Sequence, residues 1–297
     1  MNTLTRTEFD ILAALEEAAG TLSQRELASR CQKSLGTINK TLAVLNDKAF
    51  ISSGRITPAG LDALEPYRVR RAVFIAAGIG SRLIPISLNT PKPLVRVHGK
   101  PMIETVLDAV VAAGIEEIII VRGYLAEQFD YLLTKYPMIR FIESPLYSES
   151  NNISSAVCVR HMLANAYMLE ADFVMYNPRL IRKYHYCSNF LGIPAERTDD
   201  WCFTTRKGII TSHQLGGVNC YQEVGISYWT EADAAKLADH ILMTFEMPGG
   251  KERYWDQVPF TFFPNSYQVE IRECTHEDIV EIDTFKELKA IDKIYDC

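Results

Sequence analysis

The sequence predicts an α/β protein: a mostly parallel sheet with helices on both faces, preceded by a small helical domain. Short capped helical patterns fill residues 1–68, and from residue 71 strand-like and helix-like segments alternate. The chain contains 31 Lys+Arg and 37 Asp+Glu. Residues 1–71 contain 10 of the basic and 8 of the acidic residues, a net charge of +2, so the remainder has a net charge of −8. We therefore expect two domains, residues 1–68 and residues 69–297.

Composition indicates an ordinary globular protein. The chain has 297 residues, of which 47% are hydrophobic and 23% are charged. Its most apolar stretches, such as residues 118–121, have the length of a strand, and its start is not an apolar signal segment. The seven cysteines are odd in number and have no metal-ligand spacing, which predicts reduced thiols. We expect a cytoplasmic protein without a membrane partner.

The N-terminal segment has the order of elements of a small DNA-binding fold. Its predicted elements are a helix at 7–15 behind a threonine cap, a helix with a capping box at 23–28, a helix at 34–45, a β-wing at 50–57 and a short helix from Pro58. This order resembles a winged helix-turn-helix domain. The resemblance implies DNA contacts from the third helix through Lys33, Thr37, Asn39 and Lys40. A net charge of only +2 instead favours the alternative, a packing or dimerisation module, and leaves a homodimer open.

The second segment alternates between strands and helices. Strands are expected at 71–76, 117–122, 139–143 and 166–172, and helices at 102–113, 125–135 and 153–163. This order predicts a Rossmann-like parallel sheet, whose ligands bind at the carboxyl ends of the strands. Gly123, Glu143 and Asp172 each follow a strand, so we expect them to face one cleft. Mixed strands over 173–230 would form a lid, and residues 284–294 a closing helix.

A turn of small residues follows the first strand of this segment and predicts a triphosphate site. Its members, which leave backbone N–H groups uncovered, are Ala76, Ala77, Gly78, Gly80 and Ser81. Arg82 follows at once, and Lys92 lies between two prolines that restrict its backbone. The spacing is neither that of a Walker loop nor that of the dinucleotide fingerprint. For both cations, a solvated surface side chain is the alternative.

These residues resemble a known family. The pattern Gly78-x-Gly80-Ser81-Arg82-x-x-Pro85, with Pro91-Lys92-Pro93, is similar to the signature of nucleotidyltransferases that make sugar nucleotides and CDP-alcohols. Later motifs resemble bacterial CTP:phosphocholine cytidylyltransferases; they lie at 123–125, 127–132, 151–152, 254–256 and 281–283. The resemblance covers residues 71–297. It implies a nucleotidyltransferase fold and a Mg²⁺-dependent enzyme that forms CDP-choline and pyrophosphate from CTP and phosphocholine by in-line attack at the α-phosphate.

The resemblance also assigns roles to the charged residues. The turn would hold the β- and γ-phosphates, Arg82 would stabilise the leaving pyrophosphate, and Lys92 would lie beside the α-phosphate. Asp172 and Asp283 would hold Mg²⁺. The alternative for Asp283 is a cap on the helix that follows it. Glu170 stands where relatives often carry aspartate, which leaves its role open.

Aromatic residues predict the acceptor pocket. Aromatic faces beside a carboxylate suit a quaternary ammonium, although core packing is the alternative for each ring. The candidates are Trp201, Tyr228, Trp229, Tyr254, Trp255 and Asp256, with weaker support from the resemblance at Tyr228 and Trp229. Asn151 and Asn152 would contact cytosine or the acceptor phosphate, unless they cap the next helix.

Other acceptors and one other class of function stay open at this stage. A 2-aminoethylphosphonate pocket would contain more carboxylates and fewer aromatic faces, because its ammonium donates hydrogen bonds. A sugar 1-phosphate is a further alternative. A nucleotide-sensing DNA-binding regulator would need no turnover, but Lys92, Asp172 and Asp283 argue against a dead site.

Overall fold

The computed structural model describes residues 3–296 and divides into two compact units. The first comprises Met1–Arg68 with Tyr184–Tyr186, and the second comprises Val69–Lys183 with Cys187–Cys297. The sequence analysis places residues 184–186 in the second domain, so their membership of the first unit is a correction. No helix within the described residues is long and apolar enough to cross a membrane.

The first unit has the predicted helices and wing. Its elements in chain order are α1 (Arg6–Glu17), α2 (Gln24–Arg30), α3 (Leu35–Asp47), β1 (Ile51–Ser52), β2 (Arg55–Ile56) and α4 (Pro58–Leu64). Thr5 and Ser23 begin α1 and α2 with capping boxes, and Ser34 caps α3. β1 and β2 pair antiparallel as the wing. The fold therefore confirms the winged-helix expectation for this segment.

The second unit contains the remaining elements. In chain order they are β3 (Arg71–Ile75), β4 (Arg96–Val97), β5 (Lys100–Pro101), α5 (Met102–Ala112), β6 (Glu117–Arg122), α6 (Leu132–Lys135), β7 (Ile139–Glu143), α7 (Ile153–Val159), β8 (Ala166–Glu170), β9 (Phe173–Met175), β10 (Asn189–Arg206), β11 (Ile209–Trp229), α8 (Glu231–Glu246), β12 (Glu270–Glu273), β13 (Ile279–Glu281) and α9 (Phe285–Ile291).

The main sheet is mostly parallel at one end and mixed at the other. Within residues 3–296 its strands run in the order β10-β12-β11-β8-β3-β6-β7. β8, β3, β6 and β7 pair parallel, whereas β11 pairs antiparallel with β8. Alternate residues of β3 enter different cores: Phe74 packs with α5, and Val73 packs with α7 and α8. Helices therefore cover both faces, as predicted.

Several predicted boundaries were wrong. The helix expected at 125–135 is a 3₁₀ turn at Ala126–Phe129 and the single helical turn α6. The helix expected at 153–163 ends at Val159, and the strand expected at 166–172 ends at Glu170. The less regular region after residue 173 contains the long strands β10 and β11. These errors follow from long-range pairing, which local periodicity does not report.

Candidate active site

A cleft of 460 Å³ lies at the carboxyl ends of β3 and β8. In the described chain its lining contains seven carboxylates but only two cationic side chains, so bound ligands must bring positive charge. The charged lining residues are Arg82, Lys92, Glu170, Asp172, Asp200, Glu223, Asp256, Glu281 and Asp283.

The glycine turn forms one wall of the cleft. Gly80 has φ +67°, and a Cβ there would lie 2.8 Å from Cβ of Lys92, so glycine is required on two counts. At Gly78 a Cβ would meet no atom of the described chain within 4 Å, which leaves its backbone open to a ligand. Ala77 is buried, and its carbonyl accepts a hydrogen bond from the Tyr124 N–H at 3.1 Å.

Lys92 joins two aspartates from distant parts of the chain. Its Nζ lies 2.7 Å from Asp172 Oδ2 and 2.6 Å from Asp283 Oδ1, and its side chain is 10% exposed. Burial opposes the ammonium charge, but the two aspartates outweigh it and raise the pKa of Lys92. Arg82 also pairs with Asp283, at 2.8 Å and 2.9 Å.

Pairing between β9 and β13 brings these aspartates together. Glu281 pairs with Phe173 in this antiparallel ladder, and the Ile282 N–H donates to the Asp172 carbonyl at 3.1 Å. Asp172 and Asp283 consequently flank the ladder. Thr284 caps α9 with its own side chain, so Asp283 is not needed as the cap.

The acidic oxygens around Asp172 form a donor set suited to a hard cation. Oxygens of Glu170, Asp172 and Glu281 lie within 4.8 Å of one another, and buried Asp172 Oδ1 has no hydrogen-bond partner among residues 3–296. Burial and then Asp172 raise the pKa of both glutamates above the ordinary value. Gly225 allows the Glu170 carboxylate to lie against β11, since a Cβ would be 2.6 Å from Glu170 Oε2.

A second acidic group contains two further lining residues, Glu223 and Asp256. The fully buried side chain of His213 lies outside the lining and contacts this pair, with Nε2 2.7 Å from Glu223 Oε2. Burial and then Glu223 raise the pKa of Asp256, while His213 opposes that shift. Trp201 and Tyr254 line the cleft beside this group.

Comparisons with known proteins agree with this geometry. The family model described as nucleotidyl transferase matches residues 71–182, and the MarR family model matches residues 2–55. A 2-aminoethylphosphonate cytidylyltransferase of Lancefieldella rimae is 37% identical over 236 residues, which are 75% of this chain and 92% of that protein. A choline-phosphate cytidylyltransferase of Streptococcus pneumoniae is 30% identical over 229 residues, 75% of this chain and 97% of that one.

This chain is a cytidylyltransferase of the nucleotidyltransferase family. The solved CTP:phosphocholine cytidylyltransferase from Streptococcus pneumoniae has a TM-score of 0.70 and 30% identity, and covers 76% of this chain and 99% of that chain. An apo UDP-glucose pyrophosphorylase, at TM-score 0.59 and 13% identity, shares the fold. Members of this family generally use a divalent metal ion.

Most of the predicted site residues line one cleft of the cytidylyltransferase. They are Ala76, Gly78, Gly80, Ser81, Arg82, Lys92, Asn151, Asn152, Asp172, Trp201, Tyr254, Asp256 and Asp283. Asn152 makes no capping bond to α7; its side chain donates to Glu170 Oε1 and accepts from the Trp255 N–H. It therefore links Glu170 to the loop that carries Asp256.

Three of the predicted cage aromatics lie outside the cleft. Trp255 is 1% exposed and stacks on Phe190 at 6.0 Å. Trp229 is buried in the same core, and Tyr228 belongs to the core on the other face. The predicted cage is therefore wrong at these three positions: both faces of β11 are covered by protein, so Tyr228 and Trp229 fill the two cores, and Trp255 packs from its loop into the core that contains Trp229.

Three further residues that the sequence analysis places at the cleft lie outside its lining. Gly123 does not line the cleft: a Cβ there would lie 2.6 Å from the Tyr147 ring, so this glycine serves packing. Ala77 is likewise not in the lining. Glu143 is exposed and pairs with Arg122 at 2.7 Å.

The sequence analysis missed Glu223 and Asp200 as residues of the lining, and His213 as the buried partner of Glu223. Glu223 and His213 lie in a strand region without a motif, so no local signal marks them. Glu281 stood in the motif at 281–283 but received no role. Its position beside Asp172 depends on the β9–β13 ladder.

Proposed function

We propose that this cytidylyltransferase transfers the cytidylyl group of CTP to 2-aminoethylphosphonate, with Mg²⁺ as cofactor. The choice of this acceptor rests on two carboxylates of the cleft, Glu223 and Asp256. The Glu223 side chain is 9% exposed, and its Oε1 has no hydrogen-bond partner in the described part of the chain. A primary ammonium has three N–H donors for such oxygens, whereas a trimethylammonium has none.

The aromatic content of the cleft supports the same acceptor. With Tyr228, Trp229 and Trp255 in the cores, the predicted rings left in the lining are Trp201 and Tyr254, in edge contact at 6.1 Å. The acidic, aromatic-poor pocket is the one expected for an aminophosphonate. The similarity to the Lancefieldella rimae protein points the same way.

Phosphocholine becomes the second candidate. Trp201 and Tyr254 still offer aromatic surface, each cation–π contact contributing about 0.5–2 kcal/mol when desolvated. The similarity to the choline-phosphate cytidylyltransferase of Streptococcus pneumoniae also favours it. A sugar 1-phosphate brings no positive charge to the pair Glu223 and Asp256, so we place it last.

The metal-side residues fit Mg²⁺. Asp172 and Asp283 would hold the ion, with Asp172 Oδ1 as the oxygen that is not already bonded to Lys92. When bound, the ion would offset negative charge on the α-phosphate. Glu170 and Glu281 would keep the surrounding field negative.

The remaining chemistry belongs to the side chains of the cleft. A phosphonate oxygen of the acceptor is ionised near neutral pH and attacks the α-phosphorus without a general base. The new P–O bond forms as the bond to the bridging oxygen breaks, and pyrophosphate leaves toward Arg82 and the N–H groups of the turn. Lys92 offsets the charge that grows on the α-phosphate. Glu223 and Asp256 hold the ammonium and so orient the phosphonate.

A pyrophosphate-release assay tests this proposal. CTP and Mg²⁺ are combined in turn with 2-aminoethylphosphonate, phosphoethanolamine, phosphocholine, ethylphosphonate and glucose 1-phosphate. We expect the highest kcat/KM for 2-aminoethylphosphonate. Phosphoethanolamine and phosphocholine differ only in the methyl groups on nitrogen, so a preference for phosphocholine would overturn the acceptor assignment.

Matched variants locate the ammonium site. Glu223→Gln and Asp256→Asn should each raise KM for 2-aminoethylphosphonate by about 10–100-fold, since a hydrogen bond to a charged group contributes about 1.5–3 kcal/mol. KM for CTP and KM for ethylphosphonate should change little. Glu273→Gln is the control, because the Glu273 carboxylate accepts a hydrogen bond from the Tyr221 hydroxyl and lies outside the cleft. Equal losses for both phosphonates would contradict the assignment.

A further inference from the structure

His213 is a buried histidine that the proposed chemistry does not use. It and Glu223 lie ten residues apart in β11, which an uninterrupted strand would separate by about 33 Å. The strand is instead bent near Gly216, whose φ is +72°. Phe203 of β10 pairs antiparallel both with His213 and with Tyr221, so the two segments of β11 that carry them lie on either side of β10 and run in the same direction. His213 Nε2 consequently lies 2.7 Å from Glu223 Oε2.

The surroundings leave the imidazole few partners other than carboxylates. Aromatic rings form its walls: Trp201 at 4.7 Å, Phe203 at 5.0 Å and Phe260 at 6.0 Å between ring centroids. Its side chain is fully buried, and its Nδ1 has no hydrogen-bond partner within residues 3–296.

Two carboxylates therefore have the largest influence on the protonation of the His213 ring. Glu223 faces the ring from β11, and Asp256 faces it from the 254–257 loop. The aromatic walls belong to β10 and to the turn at Val258–Phe262. Glu170 is the next carboxylate, and it interacts with Glu223 and Asp256. Burial opposes the charged ring, but Glu223 and then Asp256 outweigh it and raise the pKa of His213.

We propose that a proton on His213 and the ammonium group of the acceptor compete for the same two carboxylates, Glu223 and Asp256. This inference rests on the acceptor proposed above. The protonated imidazole neutralises part of the pair in the empty pocket, and the neutral imidazole leaves both carboxylates to the ammonium. His213 is thus a positioning residue that makes acceptor affinity depend on pH. By linkage, acceptor binding must in turn lower the pKa of His213.

The pH dependence of KM tests the competition. For wild type with 2-aminoethylphosphonate, we expect KM to rise by up to about tenfold for each pH unit below the pKa of His213. His213→Gln keeps an N–H donor for Glu223 but cannot be protonated, so its profile should lose this component. The phosphonate of the acceptor titrates identically in both enzymes, and the difference between the profiles isolates His213. His161→Gln, at an exposed position, should keep the wild-type profile.

Two further measurements complete the test. With ethylphosphonate, which lacks the ammonium, wild type and His213→Gln should give the same dependence of KM on pH. In wild type, an NMR titration of labelled histidines should show the imidazole pKa of His213 falling when 2-aminoethylphosphonate is added. If His213→Gln folds poorly, the NMR titration of wild type still tests the competition. The His213 signal is then assigned by its change in the Glu223→Gln variant.

The outcomes separate this inference from the proposed function. Turnover of 2-aminoethylphosphonate with superimposable wild-type and His213→Gln profiles, or an unchanged His213 pKa on saturation, overturns the competition alone. Absence of turnover with that acceptor at every pH overturns the proposed function and this inference with it.

Discussion

At the scale of single residues, Lys92 governs the charge balance of the cleft. Its ammonium lies within 2.7 Å of oxygens from Asp172 and Asp283, which otherwise repel one another. Flanking prolines restrict its backbone, and Gly80 packs against its stem. The residue proposed to stabilise charge in the transition state therefore also holds Asp172 and Asp283 close together.

Replacement of Lys92 should remove most of the activity. We expect Lys92→Met to lower kcat by about 10²-fold or more, because the ammonium acts on charge that grows at the α-phosphate. Steady-state pyrophosphate release measures this. Lys100→Met is the control, since Lys100 makes a half-exposed pair with Asp108. A near-normal kcat in Lys92→Met would remove Lys92 from the chemistry.

The same variant should respond unusually to metal. In EDTA, Lys92→Met leaves Asp172 without its cation and Asp283 with Arg82 alone, and the free energy of unfolding should fall by about 3 kcal/mol. Mg²⁺ or Mn²⁺ should then raise its melting temperature more than that of wild type, because the ion takes the place of the ammonium. Equal metal-induced shifts in the two proteins would show that Asp172 and Asp283 do not bind the ion.

At the scale of elements, the glycine turn combines two different requirements. Gly80 is needed for the fold of the turn, since its φ is positive and Lys92 lies against it. Gly78 has open space around it and faces the cleft. The two glycines of one motif should therefore respond differently to the same substitution.

Alanine substitutions distinguish these two requirements. Gly80→Ala should lower both kcat and thermal stability, with a loss of about 1–3 kcal/mol in unfolding free energy. Gly78→Ala should keep the melting temperature but raise KM for CTP several-fold, because the new methyl group points into the space proposed for phosphate. Melting curves and CTP kinetics check both. A stable, fully active Gly78→Ala enzyme would contradict phosphate binding at this position.

The aromatic residues near β11 also divide by role. Trp255→Ala should mainly destabilise the protein, by about 3–5 kcal/mol, because the ring is fully buried against Phe190. Trp201→Ala, in the lining, should raise KM for the acceptor with a smaller effect on stability. Chemical denaturation with acceptor kinetics tests the contrast. If Trp255→Ala instead raised KM for the acceptor without a loss of stability, Trp255 would belong to the acceptor pocket after all.

At the scale of the whole molecule, all the residues proposed for chemistry belong to the second unit, residues 69–183 with 187–297. The first unit also takes Tyr184 and Tyr186 from the later part of the chain. There Tyr184 is buried in the hydrophobic core, and Tyr186 stacks with Tyr67 at 5.5 Å between ring centroids. Removal of residues 1–68 would leave both tyrosines without these partners.

Deletion of the first unit should preserve catalysis. We expect residues 69–297, with Tyr184→Ser and Tyr186→Ser to remove the exposed rings, to retain kcat and KM within about threefold, since independent units contribute separately. The full-length double variant is the control for the serines. If the shortened protein is folded by circular dichroism but shows no turnover, the two units are catalytically coupled.

Local patterns in the sequence were sufficient for the elements and the phosphate side of the site. Capping boxes at Thr5 and Ser23, and the turn from Ala76 to Ser81, depend on residues within a few positions of one another. Alternating apolar segments likewise predicted the parallel strands β3, β6, β7 and β8. The same motifs brought Lys92, Asp172 and Asp283 into consideration, although their roles stay predictions.

The acceptor side was decided by tertiary structure. No local pattern shows whether an aromatic residue enters a core or the cleft, so the sequence analysis misplaced Tyr228 and Trp229 of β11 and Trp255 of the 254–257 loop. Glu223 acquires His213 as a partner only because β11 bends near Gly216 and β10 pairs with it on both sides. Asp172 meets Asp283 through a ladder between segments about a hundred residues apart. Such contacts depend on which distant segments pair, and that choice is made by the packing of the whole unit rather than by neighbouring residues.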